Sequence, residues 1–182
     1  FTGRFTGGLG IVTSVTSLFF AAIAGRGSAA VAAIGLIMIP AMVKNGYDKG
    51  YSSALVATAG TVGVIIPPSV CMVVYAVAAG ASISGLFMAG IMPGLLIGAG
   101  LILYSVFYSR RHGYKGEDKR YTPGEIWQII LKAVPGLMIP VIILGGIYGG
   151  VFTPTEAAAI ACVYGVIVGL FIYREIKPSD LI

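Results

Sequence analysis

Between Gly50 and Ser109 the chain carries no Asp, Glu, Lys or Arg over 60 residues. An uncharged, largely apolar run of that length cannot surface a water-soluble domain, so lipid must be its solvent. At about 1.5 Å per residue it suits two helical crossings of a hydrocarbon core about 30 Å thick, joined by a turn. "AAGASISG", Ala78 to Gly85, is the best turn, which places one crossing at Ser52 to Val77 and the next at Leu86 to Tyr108. The first crossing holds "GTVGVIIPPSV", Gly60 to Val70, where two glycines and two adjacent prolines interrupt what must otherwise be continuous hydrogen bonding.

The rest of the chain follows the same pattern. It has 57% hydrophobic and 10% charged residues and a mean hydropathy of +0.94, whereas soluble domains carry about 25% charged residues. The fold class expected is an all-α, polytopic membrane protein. Its net charge of +5 is no nucleic-acid signal, because the basic residues fall in short clusters between apolar runs, as in cytoplasmic loops. Cys71 and Cys162 sit inside apolar segments and read as small apolar filler. His112, in a polar loop, reads as a solvated histidine.

Cutting the sequence at its charges gives the organisation. Residues 1–43 hold an apolar segment from about Phe5 to Ala24, a tip "AGRGS" and a second apolar piece, Ala29 to Val43. The second piece is short for a crossing, which takes about 20 residues, so the pair reads either as two tilted spans or as a re-entrant hairpin. Residues 44–108 comprise the loop "KNGYDKG", the broken helix and the following crossing. Residues 109–128 are a basic loop and an interfacial start near Trp127. The loop "SRRHGYKGEDKRYTPGE" has five basic and three acidic residues and is assigned to the cytoplasm, as are Lys44, Lys49, Arg174 and Lys177. Residues 129–182 hold a helix pair, about Ile129–Tyr148 and Ala157–Tyr173, around "GGVFTPTE", with Thr155 as a plausible N-cap and Glu156 as a first-turn acid. Parity leaves that tip either an external turn or re-entrant. The opening "FTGRFTGG" lacks the pattern of a secretory signal and reads as the middle of something longer.

The prolines carry the functional argument. Each removes a donor and clashes with the carbonyl four residues earlier, and each disfavours helical geometry in the residue before it. Pro67 and Pro68 together break the helix, and Gly60 and Gly63 loosen the preceding turn. Broken backbone in hydrocarbon costs several kcal/mol per unpaired group, roughly, and persists only when buried in protein or lining a wet cavity. Free carbonyls there suit Na⁺, and the amides at the next helix start suit an anion. Secondary transporters use discontinuous helices in this way. Thr58, Thr61 and Ser69 add hydroxyls. The plain alternative is a structural kink, the usual role of a single membrane proline.

"GTVGVIIPPS", "SISGLFMAGIMPG", "GGIYGGVFTPTEAAA" and "AVAAIGLIMIPAMVKNGYDKGY" together closely resemble the large membrane subunit of tripartite ATP-independent periplasmic (TRAP) transporters, over essentially all 182 residues. The resemblance implies the central part of a longer, inverted-repeat, elevator-type carrier in a bacterial inner membrane. It implies Na⁺-driven symport of a small organic acid, such as a C4-dicarboxylate, a 2-oxo acid or sialic acid. The implied partners are a small four-helix membrane subunit, separate or fused, a periplasmic binding protein and the bilayer. "AGRGS" then matches a re-entrant hairpin tip and "GTVGVIIPPS" the broken helix beside it. A sodium role follows for Gly25, Gly27, Ser28, Gly60, Thr61 and Gly63, and a substrate role for Arg26, Pro67, Pro68 and Ser69. The tip departs from the family's common Ser-Gly-Ser-Gly-Pro-Ala-Thr. Ala24 and Arg26 replace serines, Ser28 stands where proline is common, and Ala30 where threonine is common. Arg26 either grips a substrate carboxylate or acts as a fixed cation; otherwise it snorkels to an interface. Glu156 is either a substrate or proton residue or, as its place at a helix start favours, a capping residue.

Three rival readings remain: a channel-like pore, a non-transporting scaffold subunit and an intramembrane enzyme. A pore would use the break as a filter. A scaffold has no need of open backbone at midplane. An enzyme would need a nucleophile with a base, and the spans offer no such pair.

Overall fold

In the computed structural model, which describes residues 7–114 and 123–173, every regular element is helical among the described residues. Five helical stretches are long and apolar enough to cross a membrane: Gly27–Lys44, Lys49–Ala79, Ile83–Arg111, Gly124–Tyr148 and Pro154–Tyr173. The chain is therefore an all-α polytopic membrane protein. It divides into two compact units, Phe1–Lys119 and Arg120–Ile182, and the boundary falls inside the polar loop.

The first unit contains α1 (Gly8–Ala24), α2 (Gly27–Lys44), α3 (Lys49–Val62), a 3-10 turn (Gly63–Ile65), α4 (Val70–Ala79) and α5 (Ile83–Arg111). The expected turn after the broken crossing narrows to three residues. Gly80 adopts φ 64°, the left-handed conformation that ends α4. The Ala81 N–H bonds the Ala76 carbonyl at 2.9 Å, and Ser82 accepts from the Gly85 N–H at 3.2 Å to start α5.

One end of this unit is a packed aromatic cluster. Met42, Tyr47, Tyr51 and Leu55 form its buried core against Leu9, Tyr108 and Tyr114. The Tyr51 and Tyr108 rings stack at 4.0 Å, and the Tyr51 hydroxyl donates to Ser105 Oγ at 2.9 Å. Asp48 caps α3 by accepting the Tyr51 N–H at 2.8 Å, and its own N–H donates to the Tyr114 hydroxyl at 3.1 Å. Burial pushes the Tyr47 phenol above its ordinary value, a tendency that the neighbouring Ser109 hydroxyl partly opposes. No group meets hydrogen-bond geometry with the Tyr47 or Ser109 hydroxyl among the described residues. Gly7 and Gly10, at the start of α1, lie against Ser109 and Ser105 of α5. The outer ends of α1 and α2, the start of α3 and the end of α5 thus share one end of the unit.

The second unit contains α6 (Pro123–Tyr148), α7 (Pro154–Ile167) and a π-helical turn (Val168–Tyr173). α6 begins six residues before the expected Ile129, because Pro123 tolerates a helix start, where its missing N–H is not needed. Pro135 lies inside α6, and the Tyr173 hydroxyl bridges the ladder beside it. It donates to the Lys132 carbonyl at 2.6 Å and accepts the Gly136 N–H at 3.2 Å, linking two groups that an unbroken helix would pair directly. Tyr164 donates to the Pro135 carbonyl at 3.1 Å.

The N-cap of α7 is Thr153, which corrects the expectation of Thr155. Thr153 Oγ1 accepts the Glu156 N–H at 3.3 Å, and the Glu156 carboxylate takes the Thr153 N–H at 2.8 Å, a reciprocal capping box. Thr153 is placed by Pro154, which follows it at the first helical position. Thr153→Ala is expected to cost about 1 kcal/mol and to lower the thermal midpoint of the intact protein, whereas Thr155→Ala leaves it unchanged. Equal shifts for the two variants, read from one melting series, would overturn the assignment. The polar residues Lys115 to Lys119, Arg174 and Lys177, used above to assign the cytoplasmic side, lie outside the described residues, as does the start of the first apolar segment at Phe5.

Candidate functional site

The tip between α1 and α2 is two residues long. Gly25 ends α1 at φ 65°, with its N–H donating to the Ala21 carbonyl at 2.9 Å. An L-residue is disfavoured at that φ, and a side chain there would collide with Val70. Arg26 is extended (φ −133°, ψ 115°) and starts α2 without a side-chain cap. Among the described residues no carboxylate pairs with Arg26, and it is exposed.

The break sits between Val62 and Val70. α3 tightens into the 3-10 turn, whose end is closed by the Ile66 N–H on the Gly63 carbonyl at 3.1 Å. Ile66 is extended (φ −81°, ψ 125°), as its place before Pro67 requires. Pro67 and Pro68 have no N–H to offer the carbonyls of Gly63 and Val64. Ser69 restarts the helix, with its Oγ accepting the Met72 N–H at 3.4 Å, a long contact.

Tip and break meet. A methyl at Gly27 would lie 3.2 Å from the Gly60 carbonyl oxygen and 3.3 Å from Thr61 Cα. From the other side, a methyl at Gly60 would lie 2.6 Å from Val31 Cγ2. One at Gly63 would lie 2.5 Å from Ala21 Cβ and 2.7 Å from the Leu18 carbonyl. Gly25 touches Val70, the first residue of α4. Four helix ends therefore converge: the carbonyl ends of α1 and α3 and the amide ends of α2 and α4. Each carbonyl end carries a partial negative charge and each amide end a partial positive one, so the place can present hard oxygens to a small cation and N–H groups to an anion.

α5 backs the break through Gly90, Gly94 and Gly98, spaced four apart on one face. A methyl at Gly90 would lie 2.8 Å from the Ile65 carbonyl, one at Gly94 2.7 Å from Ile66 Cγ1, and one at Gly98 3.2 Å from Leu18 Cδ1. Small residues let these backbones approach. This face was not singled out from the sequence, although its four-residue spacing is written in "GLFMAGIMPGLLIGAG".

The expected site residues fall as follows. Gly25, Gly60, Gly63, Pro67 and Ser69 are buried, Gly27 and Pro68 are half-buried, and Arg26, Ser28 and Thr61 are exposed. The Thr61 hydroxyl donates to the Ala57 carbonyl at 2.8 Å. The Thr58 hydroxyl does the same to Ala54 at 2.8 Å. Glu156 is committed to its capping box in the second unit. Among the described residues no three His, Cys, Asp or Glu side chains gather to hold a metal.

Residues 1–182 match the family described as "Tripartite ATP-independent periplasmic transporter, DctM component". The chain is 53% identical over 175 residues to the isethionate TRAP transporter permease protein DctMQ of Oleidesulfovibrio alaskensis, covering 96% of this chain and 28% of that protein. It is 47% identical over 180 residues to the C4-dicarboxylate TRAP transporter large permease protein DctM of Vibrio cholerae, covering 97% and 39%. The ectoine TRAP transporter large permease protein TeaC of Halomonas elongata is 40% identical over 181 residues, covering 100% and 42%. The chain thus spans between about a quarter and under half of the length of these relatives.

Proposed function

The chain belongs to the DctM component family of tripartite ATP-independent periplasmic transporters, and from that premise we propose that it supplies one half of a sodium-and-solute site in a carrier that imports a small organic acid. It is a transporter segment, not an enzyme. The observation that carries the reading is the meeting of the tip Gly25–Gly27 with the break Gly60–Val70. Carbonyls at the ends of α1 and α3 are the oxygen donors for Na⁺, with Gly25, Gly27, Ser28, Gly60, Thr61 and Gly63 around it. Arg26 faces the acidic solute, and Pro67, Pro68 and Ser69 hold the start of α4 in place beside it.

The hairpin of α1 and α2 is re-entrant in this reading. Its outer ends lie at the same end of the unit, α1 against α5 and α2 in the aromatic cluster through Met42, and its tip meets the break instead of passing it. A 17-residue α1 spans about 25 Å at 1.5 Å per residue, short of a full crossing. The carrier works as an elevator in this reading, as the family resemblance implies. Na⁺ bound at the tip orders the hairpin and offsets the solute's charge, and the coupling is reciprocal, so the solute raises Na⁺ affinity by the same factor.

The partners are a periplasmic binding protein and a small membrane subunit in the bacterial inner membrane. The isethionate relative is named DctMQ, and this chain covers 28% of it against 39% and 42% of the other two named above, which fits a fused small subunit there. Relatives are named for C4-dicarboxylates, isethionate and ectoine, so the solute is to be read from a panel. The test is uptake by the full-length carrier with its small subunit and binding protein in proteoliposomes. Saturable uptake that requires both an inward Na⁺ gradient and the binding protein is expected. Uptake indifferent to replacing Na⁺ with K⁺ would end the sodium assignment, and non-saturable flux without the binding protein would favour a pore.

A further inference from the structure

A groove of about 240 Å³ lies between α3 and α5 of the first unit. Ala54, Leu55, Thr58 and Leu101 line its length, and Tyr51, Tyr104 and Tyr108 line the end toward the aromatic cluster. Along its length the Thr58 hydroxyl is satisfied by the Ala54 carbonyl at 2.8 Å, and at its end the Tyr51 hydroxyl donates to Ser105 at 2.9 Å. The groove therefore suits a hydrocarbon chain. At about 30 Å³ per water-sized group it holds roughly eight methylenes, about half of a fatty acyl chain.

The aromatic end of the groove is also its charged end. Leu101, Tyr104 and Tyr108 form one stripe of α5, and Arg111 and His112 continue it by one turn. The His112 ring stacks on Tyr108 at 4.0 Å. Arg110, Arg111, Lys49 and Lys44 are all exposed at this end of the unit. Among the described residues at this end the opposing charge is Asp48, whose carboxylate accepts the Tyr51 N–H, so their balance is positive, on the side that the basic loops assign to the cytoplasm.

We propose that this groove binds an anionic glycerophospholipid of the cytoplasmic leaflet, with one acyl chain between α3 and α5 and the phosphate at Arg111. Charge complementarity at one end and a largely apolar trough at the other favour a lipid over a protein helix, which would bring no anion to the basic mouth. Basic clefts between helices on the cytoplasmic side are suited to such headgroups. The inference rests on the membrane-spanning fold and is independent of the sodium site.

The test uses the full-length carrier with its small subunit in detergent, titrated with phosphatidylglycerol bearing a photoreactive acyl chain, with the matching phosphatidylcholine as control. Labelling is expected on the α3 and α5 peptides that contain Ala54–Thr58 and Leu101, at least threefold stronger for phosphatidylglycerol. Arg111→Gln is expected to weaken phosphatidylglycerol labelling about fivefold, the worth of one basic residue at an anionic surface, and to leave phosphatidylcholine labelling unchanged. Ala54→Trp, which fills the trough, removes both without altering Na⁺-dependent uptake at saturating lipid. Equal labelling by the two lipids would mean ordinary solvation of an exposed face and overturn the proposal. So would an unlabelled groove in the intact carrier, which would show that other parts of the protein cover it.

Discussion

Replacing Gly63 with alanine is expected to abolish uptake and to lower the stability of the carrier. Gly63 has an ordinary helical backbone (φ −57°), so alanine meets no conformational penalty there and the effect is purely steric. The new methyl would lie 2.5 Å from Ala21 Cβ, 2.7 Å from the Leu18 carbonyl and 3.1 Å from Leu18 Cα. Two of those three atoms are backbone of α1 and cannot rotate away. Overpacking of this kind costs about 1–3 kcal/mol, and here it displaces the hairpin from the break. Gly27→Ala is the milder partner, because its nearest contacts of 3.2–3.3 Å require shifts of only tenths of an ångström. It is expected to keep the maximal rate and raise the Na⁺ concentration for half-maximal uptake about tenfold, a coupling loss of about 1.4 kcal/mol. The readouts are thermal midpoints of purified protein and Na⁺ titrations of uptake. A Gly63→Ala carrier with wild-type midpoint and rate would show that the hairpin does not pack on the break in the working protein. An unaltered Na⁺ titration in Gly27→Ala would remove the ion from the tip.

The second large effect is expected at Arg26. It is the sole charged residue of the tip, it is exposed, and no described carboxylate neutralises it. A hydrogen bond to a charged partner contributes about 1.5–3 kcal/mol, so Arg26→Ala is expected to raise the half-saturating concentration of an acidic solute about 10- to 100-fold. The Na⁺ titration is expected to stay in place. Arg26→Lys restores part of the loss, because lysine keeps the charge but not the planar, two-pronged grip. Undiminished uptake by Arg26→Ala would leave the guanidinium an interfacial anchor.

How far these effects were legible beforehand differs from element to element. The helix break was fully legible, because Pro67 and Pro68 lack the N–H that a helix needs wherever they stand. The end of α4 was nearly so, since Gly80 marks it with a left-handed turn. The start of α7 was misread by two residues: Thr153 and Thr155 are equally good caps by composition, and only the reciprocal bond to Glu156 chooses between them. The early start of α6 at Pro123 was hidden for a related reason, as polar residues at a membrane interface are compatible with helix or loop. The bridge made by Tyr173 to Lys132 and Gly136 joins residues far apart in sequence, and nothing local announces it.

By itself the sequence determined that this chain dissolves in lipid and where its helices must stop. Both follow from properties each residue carries alone: charge, apolarity and the presence or absence of a backbone donor. Tertiary structure decided that the stop at Gly60–Ser69 lies against the tip at Gly25–Gly27, and that Gly90, Gly94 and Gly98 are the surface that admits it. A glycine's spacing says that something comes close, but its partner is fixed only when the whole set of helices packs with every backbone contact satisfied at once.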